Sequence, residues 1–277
     1  EITYYSPLQY PIKFRKVRKL SQWTQACYKE WKSIVNNRTY DWIAKSTIPN
    51  NAKIIGSQWV LKIKYLPDGS IDKHKARLVA RGDQQVKSLW DTYAPVSDNV
   101  TLRLLYVKCL IEKLEPLQGD AAGAFLQATL PEDRAIYMYP PQDIYRIAKL
   151  NYNEYKGKVW LLRKSLYGLA ISPRKWYELL KSELAKLDIY PHKDNQALCL
   201  NKEKTIFINC HVDDIILVCI DKSKEQYIVK TLSRNLEMTF DDLNWYLQQH
   251  IVKDGDSISI HQPLQIDKLE TETIRMC

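Results

Sequence analysis

No apolar run in this sequence approaches the roughly 20 residues that a bilayer-spanning helix needs, so no segment reads as a membrane helix and no membrane partner is expected. Nor does it open on a charged-then-apolar leader of the signal-peptide type. The six cysteines, Cys27, Cys109, Cys199, Cys210, Cys219 and Cys277, have neither the paired spacing of a disulfide framework nor the spacing of a zinc site. Several sit inside apolar stretches and read as small buried hydrophobes in a reducing compartment. Cys210 and His211 make a metal pair only superficially, because adjacent residues on a strand point to opposite faces. Internal repeats are also missing. The chain starts at Glu1 rather than Met and is expected to be excised from something longer.

What is present is an ordinary globular composition, 45% hydrophobic and 26% charged over 277 residues. That length buries a sizeable core, as one large domain or as two to three subdomains. The net charge of +9 is unevenly spread. Lys53 to Lys87 holds eight Lys or Arg against three Asp, and Lys156 to Lys186 holds eight against two Glu. Glu237 to Glu272 reverses this, with eight acids against two Lys. Two basic segments around a carboxylate site are what a polyanion-binding cleft needs, since Lys and Arg displace counterions from phosphates. A solvated basic surface of no consequence gives the same counts.

The carboxylate site is the stretch from Thr205 to Ile220, two apolar halves rich in Ile, Val and Phe with Asp213 and Asp214 between them. Each half suits a mostly buried strand, which predicts a hairpin with the carboxylates at its tip. Adjacent carboxylates in an apolar setting repel and lose hydration, so a divalent cation is one good compensator. The plainer alternative is that Asp favours turns by bonding its own backbone.

In chain order, residues 1–19 read as a poorly structured lead-in. Helical spacing then runs from Ser21, an available N-cap, through Trp23, Cys27, Trp31 and Ile34 to Asn36-Asn37. Strands follow, with Pro67-Asp68-Gly69-Ser70 as the turn of a hairpin whose returning strand puts Lys73, Lys75 and Arg77 on one face. That face suits a triphosphate or simply water. Thr101 to Leu114 is apolar at helical spacing and leads to Asp120, a third carboxylate among small residues. A short strand is expected within Glu132 to Pro141, a polar loop over Asp143 to Gly157, and another strand over Val159 to Arg163. Ser172-Pro173 starts a helix with a core stripe of Trp176, Leu179, Leu180, Leu184 and Leu187. Beyond the aspartate hairpin, Lys224 to Leu236 reads as helix, Tyr246 to Ile251 and Ser257 to Ile260 as strands, and Pro263 onward as a helix.

These residues fall into ordered blocks: Asn37-Arg38-Thr39-Tyr40, Lys75-Ala76-Arg77-Leu78-Val79-Ala80-Arg81-Gly82, Tyr93-Ala94-Pro95-Val96, Asp120 with Ala124-Phe125-Leu126, Lys164-Ser165-Leu166-Tyr167-Gly168-Leu169, Ser172-Pro173-Arg174, and Val212-Asp213-Asp214. In this order they resemble the reverse transcriptase domain of copia-type long-terminal-repeat retrotransposons, over roughly Trp23 to Asp267. The resemblance implies an α+β right-hand polymerase fold of fingers, palm and partial thumb, with an antiparallel palm sheet flanked by helices. Residues 21–95 and 128–170 would be fingers, 96–127 and 171–250 palm, and 251–277 the start of a truncated thumb or connection. It implies RNA-directed DNA polymerase activity with Asp120, Asp213 and Asp214 holding two Mg2+ ions, or Mn2+ in their place. Lys75 and Arg77 match the triphosphate-clasping finger residues, and Phe125 the aromatic gate against a ribose 2′-hydroxyl, with core packing as its plainer role. Ile171 stands at a nucleotide-contacting position, while His211, Arg174, Tyr246 and Gln248 stand at primer or template positions. The implied partners are an RNA template, a DNA or RNA primer, dNTPs, and the ribonuclease H and integrase segments of a polyprotein. The implied location is the cytoplasm, in a virus-like particle, or the nucleus.

Departures from the family pattern cluster around the carboxylates. His211 replaces a Tyr, Ala170-Ile171 replace Lys-Gln, Gln248 replaces a small residue, and Gly119 and Ala121 flank Asp120 where bulkier strand formers are usual. Ile171 cannot hydrogen-bond a nucleotide as Gln does. The expected function is therefore a polymerase, with a decayed or repurposed product that binds nucleic acid without polymerising as the alternative. A role as an interaction module in a particle-forming polyprotein is compatible with either.

Overall fold

The computed structural model describes residues 17, 20–66, 70–85, 91–141 and 143–262. In chain order the elements begin α1 (Ser21–Asn36), β1 (Tyr40–Ala44), β2 (Ile54–Ile55), β3 (Ser57–Tyr65), β4 (Ile71–Ala80), α2 (Asn99–Glu112), β5 (Leu117–Ala121) and α3 (Ala124–Gln127). Next come β6 (Ile136–Met138), α4 (Ile144–Ile147), α5 (Tyr152–Tyr155), β7 (Lys158–Leu162), α6 (Ser172–Ala185), β8 (Ile189–Pro191) and β9 (Leu198–Asn201). The last are β10 (Ile206–His211), β11 (Asp214–Cys219), α7 (Lys222–Leu236), β12 (Met238–Asp242), β13 (Trp245–Tyr246), β14 (Gln249–Asp254) and β15 (Ser257–His261). The chain is a mixed α and β structure with several sheets. It divides into two compact units, one of Glu1–Tyr93 with Phe125–Lys175 and one of Ala94–Ala124 with Trp176–Cys277.

The first unit holds a four-stranded sheet in the order β1-β7-β6-β2 and a separate β3-β4 hairpin. Helix α1 buries Trp23, Ala26, Cys27 and Ile34 on one side. Strand alternation in the hairpin buries Trp59, Leu61, Ala76, Leu78 and Ala80 in the same core. The opposite face carries the charge: Lys62 pairs with Lys75 and Lys64 with Lys73, while Arg77 stands across from Val60. Like charges directly opposite one another disfavour pairing, so the buried face sets this register. The Pro67-Asp68-Gly69 part of the expected turn lies outside the described residues, as do the Pro263 helix and nearly all of the lead-in.

Two local expectations are corrected in this unit. Ser21 is the first helical residue rather than the cap; extended Leu20 occupies the cap position, with no side-chain bond there. The stretch from Asp143 to Gly157 is not all loop, because α4 and α5 lie within it. Ile144 and Ile147 are buried one helical turn apart, a signal that the polar residues around them obscured.

The second unit is built on a six-stranded antiparallel sheet, β12-β5-β11-β10-β9-β8, beside a three-stranded sheet, β13-β14-β15. Leu102, Tyr106 and Cys109 of α2 pack with Ile216, Val218, Tyr246 and Ile251. Asp98 caps α2, accepting from Thr101 N at 2.8 Å, and its carboxylate also accepts from Asn195 Nδ2 at 2.9 Å. The single strand expected over Tyr246 to Ile251 is instead broken by a two-residue turn at Leu247 and Gln248, with φ of 49° and 65°. Cross-strand pairing of Tyr246 with Gln249 closes that hairpin.

Two glycines fix the chain near the end of β4. The Ala80 N–H donates to the Tyr167 carbonyl at 2.7 Å. A Cβ on Gly168, which has φ +87°, would stand 2.2 Å from the Ala80 oxygen, and one on Gly82 would stand 1.9 Å from the Gly168 oxygen. Gly157 has a similar φ of +74° with nothing within 4 Å. Gly157→Ala is therefore expected to cost about 1 kcal/mol from backbone conformation alone, and Gly168→Ala about 3 kcal/mol because steric overlap is added. Urea unfolding of the two variants checks the difference.

Candidate active site

Sheet register brings the three aspartates to one end of adjacent strands. Asp214 opens β11 and pairs directly with Asp120 on β5, while His211 at the end of β10 pairs with Asp214 across the hairpin. Val212 and Asp213 form the two-residue turn. Val212 has φ 56°, an unusual conformation for a β-branched residue. Both turn carbonyls are held: Trp176 Nε1 donates to Val212 O at 2.6 Å, and the Ala121 N–H donates to Asp213 O at 3.2 Å.

The electrostatics are those of a site short of positive charge. Among the described residues no Lys or Arg forms an ion pair with Asp213 or Asp214. Burial, then the charges of Asp213 and Asp120, push the Asp214 carboxyl up to about 6. Also among the described residues, no three His, Cys, Asp or Glu side chains converge as a ready-made cation cage. The donor chemistry still fits a hard divalent cation, because Mg2+ is commonly held by one or two carboxylates, with water and substrate phosphates completing its shell. Gly119, unusual before the first aspartate, has a local reason: a Cβ there would stand 2.8 Å from both Ile215 and Phe240 side chains.

The other expected site residues divide between the two units. In the first, Arg77 lies on the basic hairpin face with its guanidinium 4.7 Å from the Tyr167 ring, and no ion pair with another described residue occupies it. Tyr167 in turn meets Phe125 edge-on, with centroids 5.2 Å apart. Lys75 shares the Arg77 face; both exert a field on Glu30, whose Oε1 accepts from Leu78 N at 3.1 Å. Ile171 is 4% exposed and packs in the core. Arg174 donates to Tyr93 O at 3.3 Å and pairs with Asp91 at 3.6 Å. In the second unit, Tyr246 is buried with its hydroxyl 3.5 Å from Asp214 O, and Gln248 lies exposed in its turn. His211 Nδ1 is buried without a hydrogen-bond partner among the described residues.

Residues 37–273 match the family model for reverse transcriptase (RNA-dependent DNA polymerase). The chain belongs to this family. The reverse transcriptase domain is 30% identical over 235 residues to the Retrovirus-related Pol polyprotein from transposon RE1 of Arabidopsis thaliana, covering 83% of this chain and 15% of that protein. It is 29% identical to the Pol polyprotein from transposon TNT 1-94 of Nicotiana tabacum, over 79% of this chain and 16% of that protein. The Transposon Ty1-H Gag-Pol polyprotein of Saccharomyces cerevisiae matches at 30% identity over 80% of this chain and 12% of its own length. The copia-type relationship is thereby established, and this chain spans only a small part of these polyproteins.

Sequence reading missed two contributors to the domain's site. Trp176 read as part of a core stripe and of the family likeness but without a role at the site, and its indole bond to the aspartate turn had no signal in spacing. Tyr167 sat in a recognised block without a role, although it supports both Arg77 and Phe125.

The raised Asp214 carboxyl has a stability consequence. Its folded-state affinity for a proton exceeds the ordinary carboxylate's, so the favourable contribution is full below about pH 4 and is lost as pH rises through about 6. Asp214→Asn is expected to stabilise the domain by about 1–2 kcal/mol at pH 7.5 relative to its effect at pH 4, the full shift being discounted for residual hydration. Denaturant unfolding at the two pH values measures this.

Proposed function

We propose that this reverse transcriptase domain polymerises DNA on an RNA template, adding dNTPs to a DNA or RNA primer. The observation that carries the reading is the register pairing of Asp120 with Asp214 beside Asp213, three carboxylates with a raised proton affinity at one of them. Asp120, Asp213 and Asp214 would hold Mg2+, or Mn2+ in its place. Such ions, when bound there, would supply Lewis acidity toward a primer hydroxyl and toward the charge on departing pyrophosphate.

The chain's own residues take distinct parts in this proposal. Arg77 binds triphosphate oxygens with its guanidinium, pre-oriented by the Tyr167 ring, and Lys75 adds charge from the same face. Phe125, fixed against Tyr167, bounds the sugar and crowds a 2′-hydroxyl. His211 and the Tyr246-to-Gln248 turn are assigned to the primer, and Arg174 to orienting the segment around Tyr93 near template or primer. Ile171 supports the nucleotide region by packing alone. Residues 21–95 and 128–170 are read as fingers, 96–127 and 171–250 as palm, and 251–277 as the start of a thumb, completing a right-hand polymerase. Ribonuclease H and integrase segments of a polyprotein are the proposed neighbours, in a cytoplasmic particle or the nucleus.

The second reading, a nucleic-acid binder without polymerase activity, is favoured by the apolar Ile171 and by the buried His211 nitrogen, which meets no hydrogen-bond partner among the described residues. Primer extension on an RNA template with Mg2+ separates the two. The polymerase reading expects extension that falls at least a thousandfold in Asp213→Asn while template–primer binding stays within threefold. Salt-sensitive binding with no extension under Mg2+ or Mn2+ overturns it.

A further inference from the structure

We infer that Trp176 is a positioning residue that clamps the Val212-Asp213 turn in its carboxylate-presenting conformation. The inference rests on reading Asp213 and Asp214 as cation-holding groups and assigns a role to a side chain that touches neither substrate nor cation. Its basis is geometric. Val212 heads a two-residue turn at φ 56°, in the left-handed region that disfavours β-branched side chains by about 1–2 kcal/mol. Such a residue persists only where its surroundings over-determine it. Here the over-determination is visible: consecutive carbonyls of the turn are tied to two different elements, Val212 O to the Trp176 indole on α6 and Asp213 O to the Ala121 N–H beside Asp120.

The two ties do different work. The Ala121 bond continues the β5-β11 ladder and is supplied by strand pairing whatever the side chains are. The Trp176 bond is a side-chain contact from outside the sheet, at 2.6 Å, from a buried tryptophan to the carbonyl of half-buried Val212, so losing the donor removes a tertiary tie that the ladder does not replace. Without that donor the Val212 carbonyl is left unsatisfied, and rotation of the Val212 peptide toward negative φ relieves the strain and meets solvent together. Asp213 follows directly in the chain, so that rotation moves its carboxylate away from Asp214. Trp176 thus converts helix packing into carboxylate placement.

The test uses the full 277-residue chain and Mn2+ alone as the probe, with binding read by electron paramagnetic resonance of the free ion. Trp176→Phe keeps an aromatic ring and removes the donor. A second variant carries β-(3-benzothienyl)alanine at position 176, which keeps the indole shape with sulfur in place of N–H. Both are expected to weaken Mn2+ binding at least fivefold, with thermal midpoints within a few degrees of the parent for the sulfur isostere. Val212→Gly, which removes the φ penalty, is expected to restore affinity to within threefold in the Trp176→Phe background. Mn2+ affinity unchanged within twofold in the sulfur isostere, or no recovery in the double variant, overturns the clamp. Asp213→Asn separates the levels: if it leaves Mn2+ binding unchanged, the cation-site reading itself fails, whereas loss there with no effect at Trp176 rejects only the clamp.

Discussion

Repulsion among carboxylates is the constraint around which the second unit is arranged. Asp120, Asp213 and Asp214 sit at the end of a sheet whose neighbouring positions are buried Ile, Leu and Val, and no cation of the described protein pairs with the latter two. Left alone, such groups would separate into water. They are held instead by the antiparallel register of β5, β10 and β11, which is set by apolar side chains below the tip and is indifferent to the charges. The sheet therefore stores an electrostatic cost, of the kind that a divalent cation held there would relieve.

The first unit presents the complementary case. Its β3-β4 hairpin opposes lysine to lysine on one face while burying Trp59, Leu61 and Leu78 on the other. Hydrophobic burial fixes the register, and the cationic face is its by-product. Arg77 has a defined orientation on that face, because its guanidinium lies on Tyr167, and Tyr167 is fixed by the close approach of Gly168 to Ala80. Rigid placement of a planar donor reduces the entropy lost when it binds an anion.

Nine described non-glycine residues have positive φ, Lys113 and Glu237 among them as left-handed helix C-caps. Val212 at the aspartate turn and Leu247 and Gln248 at the later hairpin all have positive φ without being glycine. In the second turn, Gln248 occupies a position where the family has a small residue, and its φ of 65° explains why a glycine would be favoured there. The departure at Gly119 is of the opposite kind. Its missing side chain is matched by Ile215 and Phe240, so the surrounding packing compensates for it.

Much of this was legible in the chain itself. The helix from Ser21, the lysine-bearing hairpin and the aspartate hairpin followed from periodicities of 3.6 and 2, because local side-chain patterns dictate which face of an element is buried. The short helices at Ile144 and Tyr152 were not legible, since one turn holds too few positions for a period to show. Neither was the break at Leu247, where no Gly, Asn or Pro marks the turn. For the site, sequence alone determined which carboxylates are present and that two of them share a hairpin tip. Only tertiary structure decided that Asp120 pairs with Asp214, that Tyr167 supports Arg77, and that Trp176 holds the Val212 carbonyl. Those are contacts between residues 36 to 94 positions apart. Pairings at such separations depend on sheet register and helix docking, which the whole core determines.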